Sequence, residues 1–108
     1  MKPDALRGHL DALILAAVEH EPLHGYAVIE ALSRQSGGTL DLPTGTVYPA
    51  LRRLERAGHL RGEWSTVSGR ERRTYRITAS GKRTLAGLRA EWREFAAVIE
   101  TVLRPTEV

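Results

Sequence analysis

The sequence predicts a mainly α protein with a small β-hairpin, ordered α-α-α-β-β and followed by a long C-terminal helix. Three observations lead there. Apolar residues recur at helical spacing in three short stretches before residue 60. Two strand-like runs then flank a turn-rich tip. A sustained three-four repeat of apolar residues fills most of the last quarter of the chain. The 108 residues make one small domain. Residues 1–79 hold the first five elements, and residues 80–108 form the last helix of the same compact unit.

The first helix is predicted to open at Pro3-Asp4, with Asp4 as cap, and to carry Leu6, Leu10, Leu13, Ile14, Ala17 and Val18 on one stripe. Pro22 ends it, because Glu21 before a proline is pushed out of the α region. The second helix follows Gly25, turns Tyr26, Ile29 and Leu32 inward, and stops at Gly37-Gly38. After an extended Leu40-Asp41-Leu42-Pro43, Thr44 caps the third helix and Gly58 closes it. Pro49 lies inside, where proline costs about 3 kcal/mol, but near the first turn its missing N–H is least felt. A local distortion is expected there. Residues 60–67 and 72–78 flank Ser68-Gly69-Arg70-Glu71 and read as a hairpin. Thr78 or Ser80 caps the last helix, and Arg104-Pro105 ends it.

Composition removes several classes of function. With 42% hydrophobic and 27% charged residues, the chain is an ordinary globular sequence. It has no cysteine, which excludes disulfides, iron–sulfur sites and thiol nucleophiles, and which fits a reducing cytoplasm. The longest nearly uninterrupted apolar run, from Ala12 to Val18, is far short of the roughly 20 residues that span a bilayer, so no membrane partner is expected. Met1-Lys2-Pro3-Asp4 runs straight into an amphipathic pattern, which predicts no secretory leader.

The net charge of +3 is unevenly spread. Residues 44–83 carry ten Arg and Lys against Glu55, Glu63 and Glu71, a surplus of +7, whereas both flanks are acidic. A polyanion-binding surface has such a concentration, although a short charge run alone is usually a solvated face. Geometry decides between them. Three helices and a hairpin form the winged variant of the helix-turn-helix, whose third helix enters the DNA major groove while the hairpin tip reaches the neighbouring backbone or minor groove. On a wheel of about 100° per residue, Val47, Leu51 and Leu54 fall within about 60° of one another. Arg52, Arg53 and Arg56 point the other way, as do Pro49 and the small Gly45. Arginine pairs with guanine edges and with phosphate, and Thr44 and Thr46 flank free helix N–H groups suited to a phosphate oxygen. Glu55 is the only acid between Thr44 and Glu63, which predicts few ion-pair partners for these arginines. Arg70, Arg72 and Arg73 add charge at the hairpin tip.

Leu23-His24-Gly25-Tyr26, the run Thr44-Gly45-Thr46-Val47-Tyr48-Pro49-Ala50-Leu51-Arg52-Arg53-Leu54-Glu55, Gly58-His59-Leu60, and Tyr75-Arg76-Ile77-Thr78-Ala79-Ser80-Gly81 together resemble the PadR-like winged-helix transcriptional regulators. The likeness is close over residues 10–81 and looser in the last helix. It implies a homodimeric repressor that binds a palindromic operator in double-stranded DNA and is often released by a small-molecule effector. It also implies that Tyr26 helps hold the DNA backbone, with Thr46, Tyr48 and Arg52 at the DNA. His59 departs from the pattern, which more often has a larger apolar residue there. A single C-terminal helix suits the short-tailed members.

Dimerisation is expected independently. Leu85, Leu88, Trp92, Phe95, Ile99 and Val102 form a seam, with Leu6 and Leu10 of the first helix beside it, and the helix is longer than so small a head can cover. Trp92 is a candidate ligand platform, though ordinary seam packing accounts for a tryptophan at that spacing. No cofactor or metal is expected: His20 and His24 stand four apart, but Pro22 breaks the helix they would need. There is no phosphate-binding Gly-rich loop and no nucleophile context, so an enzyme is not expected. The competing reading is a winged helix used for protein–protein interaction, and the shared face of Arg52, Arg53 and Arg56 argues against it.

Overall fold

The computed structural model describes residue 6 and residues 8–106. In chain order the elements are α1 (Leu10–Ala17), β1 (Leu23–His24), α2 (Gly25–Gln35), α3 (Thr44–Arg56), β2 (Leu60–Val67), β3 (Arg70–Ile77) and α4 (Ala79–Leu103). The three strands form one antiparallel sheet in the order β1-β3-β2. This is the expected winged helix-turn-helix with a long last helix, and it differs from expectation in several elements.

The first helix is shorter at both ends than its apolar stripe implied. Gly8 has φ +83°, a left-handed conformation that separates Leu6 from the helix, so α1 starts at Leu10. The proposed start at Pro3-Asp4 lies outside the described residues. At the other end α1 stops at Ala17, well before Pro22, and closes with a tight bond from the Glu19 N–H to the Ala16 carbonyl (3.3 Å). The chain must leave the helix early because Leu23 and His24 pair with Tyr75 and Thr74 of β3. Two residues are too few for a periodicity signal, and this strand was not foreseen.

Helices α2 and α3 cross as a helix-turn-helix. In α2 the buried residues are Val28, Ile29, Ala31 and Leu32, while Tyr26, expected inward, is 55% exposed. Placed in the first turn, it lies off the buried stripe. In α3, Val47, Ala50, Leu51 and Leu54 are buried, the wheel prediction with Ala50 added. Pro43, not Thr44, is the cap residue; its carbonyl accepts from the N–H groups of Thr46 (3.0 Å) and Val47 (3.1 Å). Pro49 sits inside the helix in its second turn, and both it and Gly45, four residues back, are exposed. Any carbonyl freed by the missing N–H therefore meets solvent.

The hairpin tip is tighter than expected. Ser68 and Gly69 alone make the turn, at φ +52° and +76°, the pair of left-handed residues that a two-residue hairpin requires. Arg70 and Glu71 thus belong to β3, and Val67 pairs with Arg70. Thr78 caps α4: its Oγ1 accepts from the Gly81 N–H (3.0 Å) and donates to the Gly58 carbonyl (2.6 Å). This joint ties the end of α3 to the start of α4. His59 joins it, with its Nδ1 2.9 Å from Ser80 Oγ.

The core gathers Ile14, Leu15 and Val18, Val28 and Leu32, Val47, Leu51 and Leu54, with Leu60, Tyr75 and Leu85 from the sheet and α4. Each large side chain so buried stabilises the fold by roughly 1.5–3 kcal/mol. Past Phe95, the last of its residues to line the groove against α1, α4 extends away from the head.

Two glycines of α4 give opposite expectations. At Gly81 a Cβ would overlap the His59 carbonyl oxygen and lie 2.8 Å from Ile77 Cγ1, whereas at Gly87 it would meet nothing within 4 Å. Gly81→Ala should therefore destabilise by about 1–3 kcal/mol or more, and Gly87→Ala should stabilise by about 0.5–1 kcal/mol. Chemical denaturation midpoints of the two variants check the pair.

Candidate nucleic-acid interface

Because one side of α3 is fully buried, its other side is presented as a unit. Thr44, Gly45, Thr46, Tyr48, Pro49, Arg52, Arg53 and Arg56 are all exposed. Neither α2 nor α3 has a side-chain hydrogen bond at its N-cap; in α3 the Thr46 and Val47 N–H groups go to the Pro43 carbonyl, which leaves those of Thr44 and Gly45 for an anion. The two helix starts are close together: a Cβ on Gly25 would lie 2.7 Å from the Tyr48 ring. Tyr48, 36% exposed, therefore stands beside the N-terminus of α2, whose first turn also carries Tyr26, 55% exposed.

The arginines divide into two groups. Arg52, Arg56, Arg70 and Arg72 are exposed and have no carboxylate within ion-pair distance among the described residues. Arg53 and Arg73, expected to face DNA with them, are held by acids instead. Arg53 Nη1 donates to Asp11 Oδ2 of α1 (2.9 Å). Arg73 Nε donates to Glu55 Oε1 (3.2 Å), and its Nη2 donates to Glu55 Oε2. Few ion-pair partners were expected because only Glu55 lies near in sequence. Asp11, 42 positions from Arg53, arrives through the packing of α1 on α3.

Register explains the division on the hairpin. Arg73 is paired with Trp64 and shares its face with Gly62 and Tyr75, the side turned toward the body. Arg70 and Arg72 lie on the opposite face with Ser65 and Val67. Tyr75 is buried there, and that burial pushes its phenol up from its ordinary range. Neither Trp64, 67% exposed with the Arg73 guanidinium 5.2 Å from its ring centroid, nor Gly62 was singled out from sequence. The Ser-Gly dipeptide, taken as a two-residue turn, was the signal that fixes their pairing.

The expected seam also divides. Leu85 is buried in its own chain's core and Leu88 half-buried against it, so Leu85 is not free for a partner; Leu6 and Leu10 are partly buried on the same core. Trp92, Phe95, Ile99 and Val102 are exposed, together with Val98 and Leu103, which the three-four repeat passed over. Between α1 and α4 runs an apolar groove of about 700 Å³, lined by residues that include Leu6, Leu13, Leu88, Trp92 and Phe95. The Trp92 ring meets His9 edge-on at 5.3 Å and lies 6.1 Å from Phe95. At its rim Arg89 donates to both Glu19 oxygens (2.8 Å each) and holds that carboxyl below its ordinary range. Among the described residues no helix is long and apolar enough to cross a membrane. No group of three or more His, Cys, Asp or Glu is placed to hold a metal among them.

The sequence model of the family described as "Transcriptional regulator PadR-like family" matches residues 14–87, ending before the exposed part of α4. An uncharacterised protein of Lysinibacillus sphaericus is 31% identical over 108 residues, 99% of each chain. A transcriptional regulator of Mycobacterium tuberculosis is 37% identical over 83 residues, 77% of this chain and 75% of its own. The crystal structure of a PadR family transcriptional regulator from Eggerthella lenta superposes with a TM-score of 0.84 at 30% identity, over 95% of this chain and 88% of that one. A transcriptional regulator from Clostridium thermocellum, 24% identical, shares the fold with a TM-score of 0.88 over 96% and 99% of the two chains.

The Glu19–Arg89 tie has a pH signature. Glu19 titrates below its ordinary range when folded, so its stabilisation is complete above the unfolded carboxylate value and is lost as pH falls through the lowered one. Glu19→Gln should lower the midpoint modestly at neutral pH, flatten that acid limb and converge with the parent at the acid end. Thermal midpoints measured from neutral pH to about pH 3 in both proteins check the direction.

Proposed function

The chain belongs to the transcriptional regulator PadR-like family, a family of DNA-binding regulators and not of enzymes, and from that premise we propose that it is a homodimeric repressor of a palindromic operator in double-stranded DNA. One observation carries the reading: the side of α3 left to solvent holds Arg52 and Arg56, without a carboxylate partner among the described residues, beside two helix starts with no side-chain cap, next to a wing bearing Arg70 and Arg72. In this reading Arg52 reads bases in the major groove, and Arg56, Thr44, Gly45, Thr46, Tyr48, Pro49 and Tyr26 line the approach to it. Arg70 and Arg72 meet phosphate and set orientation. The protein acts in the cytoplasm, where bacterial DNA lies, and represses by occupying its site.

The exposed apolar stripe of α4 supports the dimer. Trp92, Phe95, Val98, Ile99, Val102 and Leu103 cover about 140° of the helix, wider than a two-helix seam, so a partner copy meets it with more than one element. The same two-fold packing closes over the groove between α1 and α4. Its volume suits a flat, mostly apolar effector stacked on Trp92, and binding there releases the DNA.

Binding to duplex DNA at several salt concentrations tests the DNA reading. Affinity should fall with a log–log slope of about −0.9 per phosphate contact, and a slope near zero would overturn it. Arg52→Ala should relax preference at particular base pairs and cost about 1–3 kcal/mol at a good site. Arg70→Ala and Arg72→Ala should weaken all sequences evenly.

A second test concerns the two-fold. Two recognition helices must reach successive major-groove faces about 34 Å apart. Ile99→Asp puts an unpartnered charge into the stripe and should yield a folded, largely monomeric protein that loses operator affinity far more than non-specific affinity. Sedimentation together with binding to one palindrome reads both. A dimer that survives, or a monomer that binds the palindrome as the parent does, would sink the two-fold model.

A further inference from the structure

The outer half of the wing has no core beneath it. Every residue from 63 to 72 is exposed, and a two-stranded hairpin without further packing is at best marginally stable in water. Arg73 is the first half-buried residue on the way in. Its side chain and that of Glu55 are 27% and 26% exposed, so both are partly withdrawn from water where they meet. The two-point contact from a planar guanidinium to a carboxylate on α3 fixes direction as well as distance. Trp64, across the ladder, covers the guanidinium at 5.2 Å.

Gly62 completes the arrangement from below. A Cβ there would lie 2.7 Å from Arg73 Nε and 2.9 Å from both Cζ and Nη2. The crowded atoms are the far end of a flexible side chain, so a methyl group at this position displaces the guanidinium and leaves the pairing of Gly62 with Tyr75 in place. Any other residue at position 62 takes the space the clamp occupies.

We propose that Arg73 is a positioning residue: clamped between Glu55, Trp64 and Gly62, it fixes the angle of the wing to α3 and thereby decides which phosphates Arg70 and Arg72 reach. The proposal rests on the DNA-binding reading above. The clamp has a second effect on the same helix. Glu55 lies three residues from Arg52, close enough to pair with it along the helix, and engagement by Arg73 keeps that carboxylate off the groove face.

Positioning and direct phosphate contact differ in their salt dependence. Gly62→Ala breaks the clamp without changing charge, and Arg73→Lys keeps the charge but not the planar fork. Each should weaken operator binding about tenfold, equivalent to about 1.4 kcal/mol, with the parent's salt slope retained, whereas Arg70→Ala should lower the slope by about 0.9. Amide hydrogen exchange in residues 63–72 should quicken in both clamp variants and not in Arg70→Ala. An Arg73→Lys protein that binds and exchanges like the parent overturns the proposal. So does a Gly62→Ala protein with unchanged exchange, or a slope that falls with Arg73→Ala as it does with Arg70→Ala. If the parent itself fails to bind duplex DNA at low salt, the DNA reading fails, and the exchange of residues 63–72 still judges the clamp.

Discussion

The burial of one face of α3 is the constraint on which the other features depend. Val47, Ala50, Leu51 and Leu54 are all at most 3% exposed, and they meet side chains from α1, α2 and the sheet. A helix anchored on four such positions cannot roll, because any rotation would bring apolar surface to water at about 25 cal/mol per Å². The polar remainder of α3 is therefore held at a fixed angle. That fixed angle makes a row of exposed residues on α3 a surface with geometry and not merely a charged stretch. Truncating Leu51, wholly buried, would cost about 2–5 kcal/mol and loosen every side chain on the far face.

Acids are distributed so as to sort the basic residues. Asp11, Glu19 and Glu55 each take one arginine, and each pair joins two different parts of the fold: α1 with α3, the turn after α1 with α4, and α3 with the wing. Partly exposed pairs of this kind contribute little to stability, commonly less than about 1 kcal/mol. Their larger consequence is directional. Arginines bound to carboxylates are held in one direction, whereas Arg52 and Arg56 on α3 and Arg70 and Arg72 on the outer face of the hairpin have no carboxylate partner among the described residues.

Helix α4 changes role along its length. Its first turns belong to the core through Leu85 and Leu88, and the capped joint at Thr78 aligns them with the end of α3. The remainder carries Trp92 and Phe95 at the groove and then Val98, Ile99, Val102 and Leu103, all exposed. A helical segment of that length is marginal in water by itself, since nucleation is costly and its apolar face gains nothing from solvent. It stays ordered here as a continuation of a docked helix, and a covering surface would stabilise it further.

The residues by themselves determined the order of every element but β1, the buried face of α3, the exposed basic face opposite and the apolar stripe of the last helix. Those features depend on period: apolar residues three and four apart must share a side, whatever the rest of the chain does. Local turn chemistry was only partly read. Gly8 and the Ser68-Gly69 pair are visible in sequence, yet their left-handed conformations, which shortened α1 and tightened the wing, show only in the fold. Tertiary structure alone decided which arginines are free. Asp11 reaches Arg53 across 42 residues and Glu55 reaches Arg73 across 18, separations that carry no periodic signal. The same holds for β1, a strand of two residues that exists because β3 offers it an edge, and for Leu85, which the core takes from a stripe otherwise left to solvent. Periodicity is a property of one element, whereas pairing between elements depends on where the packed core sets them down.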